Sequence, residues 1–202
     1  TEVVHEMEAD IIVHEGGSYL YEENHFHGDD GGVKVLAKSN IELKKESEFK
    51  TIFNLRKGRI GEIEFDYESV VEDNAVLEMI ARMQGYADDK IKIREAGDLV
   101  GKGSRGYLET KIALQDQAEA EVLNELTALA DGAKGHVDCT EIIKDEAIAR
   151  AVPIVDVRDP GAKVTHEAAI GSVDSTQLQT LMARGLDEED ATDVIVQGML
   201  NS

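Results

Sequence analysis

Small residues, each followed by alternating apolar positions, recur along the chain at a nearly constant interval. Gly17 leads into Tyr19 and Tyr21, Gly32 into Val33 and Val35, Ser47 into Phe49, Gly61 into Ile63 and Phe65, and Ala75 into Leu77 and Met79. The series continues through Asp89, Gly103, Ala118, Ala133, Ala147 and Ala162, and every step is 14 or 15 residues. Alternation with period two marks a strand with one buried face. Short strands at fixed spacing, each opened by a small residue beside Asp, Glu or Asn, predict a mainly β chain whose parallel strands stack as a solenoid, either a β-helix or a flattened β-roll. An antiparallel sandwich fits less well, because its turns come about every 8 to 12 residues. With two units per turn, residues about 29 apart would lie on neighbouring rungs. Lys34 and Arg105 fall where other rungs carry apolar side chains.

The segment AEAEVLNELTALAD (Ala118 to Asp131) is rich in helix formers and is followed by Gly132, a helix-ending signal. The period nevertheless runs through it without a slip, and this predicts a strand. After Gly171 the pattern changes to 3.6 residues: Leu178, Leu181 and Met182 form a short stripe closed by Gly185. Asp187 then caps a second helix, with Ala191, Val194, Ile195, Gly198 and Met199 on a face expected to pack against the solenoid. The expected organisation is a β-helix core over residues 1–171 and a helical segment over 172–202.

Composition narrows the function. Set against 42 Asp and Glu, 21 Lys and Arg leave a formal charge of -21, which disfavours phosphate backbones and anionic lipid surfaces and so argues against nucleic acid and membrane as partners. Cys139 is the single cysteine, which rules out an internal disulfide and self-contained Cys-rich metal sites and points to a reducing, cytoplasmic setting. The chain begins at Thr1 rather than Met, which fits either a processed end or a start within a longer chain.

Three motifs carry candidate chemistry. GKGSRG (Gly101 to Gly106) satisfies a dinucleotide fingerprint but precedes an alternating segment where that fingerprint needs a helix, and it reads as a turn. No phosphate-binding loop is present, so any nucleotide must be handled by another chain. His25 and His27, two apart in ENHFHGDD, would face one side of a strand and could share a metal with His14, Asp29 or Asp30. This looks like half of a cupin motif, without the glutamate that should follow. Finally, a 29-residue stack sets Cys139 beside Ala168 and close to His166 and Glu167, bringing thiol, imidazole and carboxylate together.

Around those residues the chain resembles a known family. CTEIIKDEAIARAVP (Cys139 to Pro153), IVDVRDPGAKVTHEAAIG (Ile154 to Gly171) and QLQTLMARGLDEEDATDVIVQGM (Gln177 to Met199) are similar, in order and spacing, to the C-terminal part of the SufB and SufD proteins of Suf-type iron–sulfur cluster assembly. The resemblance implies a right-handed parallel β-helix followed by helices, and a non-catalytic scaffold holding a transient iron–sulfur cluster. It also implies a SufC-type ATPase docked through the C-terminal helices, a SufB- or SufD-type second subunit or a homodimer, and a cysteine desulfurase system as sulfur source. By the same resemblance Cys139 matches the cysteine implicated in sulfur acceptance and cluster building, and His166 and Glu167 match the pair associated with the nascent cluster. A second family cysteine has no counterpart here. Two other readings are a metal-dependent β-fold enzyme built on His25 and His27, and a solenoid that serves only as a subunit-interaction module.

Overall fold

Each sequence repeat becomes one strand of 9 to 11 residues closed by a tight turn. The computed structural model describes residues 3–28 and 30–201. Within them lie β1 (Val3–Val13), β2 (Ser18–Phe26), β3 (Val33–Leu43), β4 (Glu48–Lys57), β5 (Gly61–Val71), β6 (Val76–Gly85), β7 (Lys90–Leu99), β8 (Arg105–Leu114), β9 (Glu119–Ala128), β10 (Lys134–Ile143), β11 (Ile148–Val157) and β12 (Lys163–Ser172), followed by α1 (Ser175–Met182) and α2 (Glu188–Leu200). Odd strands form one parallel sheet in order and even strands the other, so two strands make one turn and the described chain completes about six turns. The expected solenoid is therefore the fold.

Partners in register are 28 to 30 residues apart: Val3 with Val33, Val33 with Gly61, Lys134 with Lys163. At the corners, Lys163 N–H donates to Ala133 and Ile148 N–H to Ala118, which stacks the small residues as the period requires. Those small residues close the turns. Ser47, Ala75, Asp89, Ala118, Ala133 and Ala147 each donate their N–H to the carbonyl three residues back. In the turn after β7 the closing residue is Ser104, one beyond the expected Gly103, and Gly103 takes the left-handed conformation instead, with φ of 66°. GKGSRG is thus a turn.

The two edges of the solenoid use different turns. Between odd and even strands the third residue has positive φ (Gly16, Glu46, Asn74, Gly103, Gly132); between even and odd strands it is the second (Ala87, Asp116, Asp145). Non-glycine residues in this region are strained, and neighbouring rungs hold them in place. Glu46 N–H donates to Asp73, Asn74 N–H to Lys102, and Ala87 N–H to the Asp116 carboxylate at 2.9 Å.

Inward positions fill a continuous lumen. Towards the N-terminal end Phe53 meets Phe65 edge-on and Phe65 stacks on Tyr67; towards the other end Ala118, Ala120, Ala128 and Ala133 line it. Residues 118–131 follow the period: Ala120, Val122, Asn124, Leu126 and Ala128 of β9 are all buried, between β7 and β11. Two-sided strand pairing plus five buried side chains outweighs a helix preference of a few tenths of a kcal/mol per residue. Lys34 and Arg105 belong to the outward parity, where Lys34 pairs with Glu62 of the next rung at 2.7 Å.

Asp187 caps α2, accepting from Asp190 N–H at 2.8 Å. The face that α2 lays on the even-strand sheet differs from the expected one. Ala191, Thr192, Val196 and Leu200 are buried, with Val196 and Leu200 against Ala113, while Val194 is 50% exposed. Ala191 of the expected stripe is buried and Met199 packs against Val196 and Leu200, but because the helix has two neighbours Val194, Ile195 and Gly198 turn to a groove towards α1, which Met199 also lines.

Asp89 shows how a corner is held. It is fully buried, and its carboxylate accepts from Gly61 and Tyr86 N–H, each at 3.0 Å, and lies 3.4 Å from Arg59. Asp89→Ala is expected to lower stability by about 3 kcal/mol, because it leaves two backbone donors unsatisfied in the interior. Urea unfolding monitored by circular dichroism measures this.

Candidate functional site

Cys139 sits in the middle of β10, fully buried, with its side chain on the inward face. Its register partner on the last rung is Ala168, as the 29-residue stack requires. His166 pairs with Val137 and Glu167 with Asp138. Side chains alternate faces along a strand, so His166 shares the inward face with Cys139 and Glu167 takes the outward one. The three backbones are adjacent, but the expected convergence of three side chains is reduced to thiol and imidazole. Glu167 instead continues an outward acidic column with Asp138 and Glu109. Both His166 and Glu167 are exposed, because β12 is the last strand of its sheet.

Around Cys139 the lumen is polar in a way the sequence reading did not register. Glu95, Thr110 and Asn124 are fully buried, and hydrogen bonds climb across the lumen from one sheet to the other. Thr110 Oγ1 donates to Glu95 at 3.4 Å, Asn124 Nδ2 donates to Thr110 Oγ1 at 2.8 Å, and the same Nδ2 lies 3.6 Å from Cys139 Sγ. Glu141, two residues beyond Cys139 on the same face, is also buried. Glu95 Oε1, Asn124 Oδ1 and both Glu141 carboxylate oxygens have no hydrogen-bond partner. The signal was present in the sequence: Glu95 follows Ile91 and Ile93, Asn124 lies between Val122 and Leu126, and Glu141 follows Val137 and Cys139, all at inward parity.

Burial sets the protonation of this cluster. It pushes Glu95 up to about 8, against a weaker opposing hydrogen bond from Thr110. Burial and then the charge of Asp138 push Glu141 up to about 7. The Cys139 thiol is pushed up to about 12 by burial first and then by Glu141 and Glu95. In this state Cys139 is a thiol rather than a thiolate, and thus a poor nucleophile until something supplies positive charge.

His25 and His27 do share a face, with rings stacked 5.6 Å apart. His25 is buried against Phe53 and has a 2.5 Å contact from Nε2 to Glu23. Burial alone would raise the Glu23 carboxyl, but hydrogen bonds from His25 and Tyr21 outweigh it and hold the group low. His27 is lowered by burial and by the neighbouring His25. Asp29 lies outside the described residues, and His14 stands in the turn before β2, at the opposite end of that strand. Among the described residues no three His, Cys, Asp or Glu side chains are arranged to hold a metal ion, and no helix is long and apolar enough to cross a membrane.

A groove lies between α1, α2 and the outer face of β10, lined by Ile142, Leu181, Val194, Ile195 and Met199. None of the residues of α1 is buried. An apolar groove beside a helix with no buried side chain is a surface on which another chain could pack.

Residues 3–199 match the family model described as SUF system FeS cluster assembly, SufBD core domain. The chain is 36% identical over 198 residues to an iron–sulfur cluster assembly SufBD family protein of Methanocaldococcus jannaschii, covering 98% of this chain and 63% of that protein. It is 38% identical over 196 residues to one of Pyrococcus horikoshii, covering 97% and 60% respectively. A shorter match of 72 residues at 33% identity, 35% of this chain and 16% of the relative, is to the iron–sulfur cluster assembly protein SufB of Bacillus subtilis. The chain thus spans about three fifths of the length of the first two relatives.

The buried carboxyls make stability depend on pH. Glu95, raised to about 8 from 4.5, binds more protons folded than unfolded between those values. Its contribution is complete below about pH 4.5 and is lost as the pH rises through about 8, with Glu141 acting in the same sense up to about 7. Wild type is expected to lose stability between pH 5 and pH 8.5, and Glu95→Gln to lose less. Denaturation midpoints of both proteins at the two pH values check this.

Proposed function

The chain belongs to the SufBD family of iron–sulfur cluster assembly proteins, and on that premise we propose that it is a non-catalytic scaffold on which a nascent cluster is held through Cys139. The observation that carries the reading is the family match over residues 3–199, which includes the one thiol, buried a single rung below the exposed end of the solenoid. His166 lies on the same inward face one strand away and is the second candidate cluster ligand. Glu167, outward on that strand, marks the rim where a second subunit of the same family or a second copy would meet the last rung. The exposed Ile154, Val157 and Ile170 of β11 and β12 give that rung an apolar surface for such a contact. A cysteine desulfurase system in a reducing cytoplasm would supply sulfur, and the high proton affinity of Cys139 implies that the last rung must open, or positive charge must arrive, before the thiol reacts.

The energy source would be a separate SufC-type ATPase, since this chain has no phosphate-binding loop. Its docking surface would be the α1–α2 region, whose groove carries Val194, Ile195 and Met199 and whose second helix opens on Glu188, Glu189 and Asp190. Apolar anchors in the groove would set the dissociation rate, and the acidic first turn would set association rate and salt sensitivity.

Two measurements test the reading. Anaerobic reconstitution with ferrous iron and sulfide is expected to give visible cluster absorbance that Cys139→Ser abolishes and His166→Ala reduces; unchanged absorbance in Cys139→Ser would refute a role for the thiol. Deletion of residues 187–202 is expected to abolish capture of the ATPase while the far-ultraviolet β signal persists. Undiminished capture would refute the docking site.

A further inference from the structure

The lumen beside Cys139 holds a set of acceptors that no described residue satisfies. Glu141 is 1% exposed and neither carboxylate oxygen has a partner. It sits at inward parity two residues from Cys139, and its charge acts on the thiol. From the opposite sheet, fully buried Asn124 points its Nδ2 at Thr110 and at Cys139 Sγ, leaving Oδ1 without a donor. A buried polar atom without a partner is destabilising, and three such oxygens on the rung that holds Cys139 are expensive for a core that could have been aliphatic. Protonation can satisfy one oxygen of the carboxyl but not the amide oxygen. A cation satisfies all of them at once.

We propose that Cys139 Sγ, the Glu141 carboxylate and Asn124 Oδ1 form an interior staging site for a ferrous ion, one rung inside the C-terminal mouth of the lumen. This rests on the reading of Cys139 as the working thiol. The trio contains only two groups of the imidazole, thiol or carboxylate type, the third donor being an amide. A half-turn of the Asn124 amide exchanges Nδ2 for Oδ1 on the sulfur side, so the group that hydrogen-bonds the thiol in the empty state can ligate the ion in the filled one. Binding releases the proton of the thiol, together with that of the Glu141 carboxyl wherever it holds one, and moves no electron. Thiolate with oxygen donors suits a borderline ion such as Fe²⁺ and disfavours Mg²⁺ and Ca²⁺, which take oxygen shells.

The way in is short. In the last rung Cys139 is covered by Ala168, Glu141 by Ile170 and Asn124 by Pro153. Ala168 is exposed and small, and Ile170 is 48% exposed. A single layer with a methyl group at its centre separates the trio from solvent.

Anaerobic titration of the whole chain with Co²⁺, a coloured substitute for Fe²⁺, tests this through the near-ultraviolet thiolate-to-cobalt band. One ion per chain is expected, with the band lost in Cys139→Ser, and Glu141→Gln is expected to weaken affinity about tenfold or more, further than Glu167→Gln does. Ala168→Leu should slow loading about tenfold while changing the affinity less than Glu141→Gln does, because it narrows the mouth and removes no ligand. Fe²⁺ should displace the cobalt only in excess, because Co²⁺ binds such donor sets more tightly. The inference is overturned if the band forms but Glu167→Gln or His166→Ala abolishes it and Glu141→Gln does not, an outcome that leaves the scaffold reading standing. It is also overturned if wild type gives no band, and cluster reconstitution then judges the scaffold reading by itself. Should Glu141→Gln fail to fold, X-ray absorption of cobalt-loaded wild type decides: one sulfur with oxygens supports the trio, and an imidazole scattering pattern overturns it.

Discussion

Everything in this protein follows from parallel backbone hydrogen bonding between residues 28 to 30 apart. That register fixes which side chains stack. One residue of slip would exchange the inward and outward faces of a whole strand, so the register is held by apolar columns such as Val35, Ile63 and Ile91 in the lumen and by hydrogen bonds at the corners such as those of buried Asp89. No single rung could bury its own inward face; stacking lets each strand cover the previous one.

The same register makes the polar interior coherent. Ser39, Tyr67, Glu95 and Asn124 form one inward column, and Ala81, Thr110, Cys139 and Ala168 form one in the facing sheet. Because the two columns face each other, a hydrogen-bonded path crosses the lumen from Glu95 to Cys139. A core built only for stability would avoid such groups. Several of their oxygens are left without a hydrogen-bond partner, and the hydrogen-bonded path ends at the one thiol of the chain.

At its C-terminal end the solenoid has a different character. The last rung leaves Ile154, Val157 and Ile170 in water, and α1 has no buried side chain. Alongside these, α2 is anchored on the even-strand sheet through Val196 and Leu200 against Ala113, with Arg56 donating to Asn201 at 2.5 Å. The helix is therefore fixed on one side while its Val194 and Ile195 remain available on the other, which is the arrangement an interaction surface needs.

From the sequence alone, the solenoid, the rung spacing, the strand at residues 119–128 and the pairing of Cys139 with Ala168 could be derived, since each depends only on period and on the spacing of small residues. Asp187 as a helix cap was equally legible, because capping is local. Three things were decided only by the tertiary structure. The face of α2 that is buried depends on having two neighbours. The separation of Glu167 from Cys139 follows from side-chain parity within a register. The cluster of Glu95, Asn124 and Glu141 around the thiol exists only because two sheets face each other across a lumen about one side chain deep on each side. Their inward parity was readable strand by strand, but the distance between residues on opposite walls belongs to the closed solenoid and not to any one repeat.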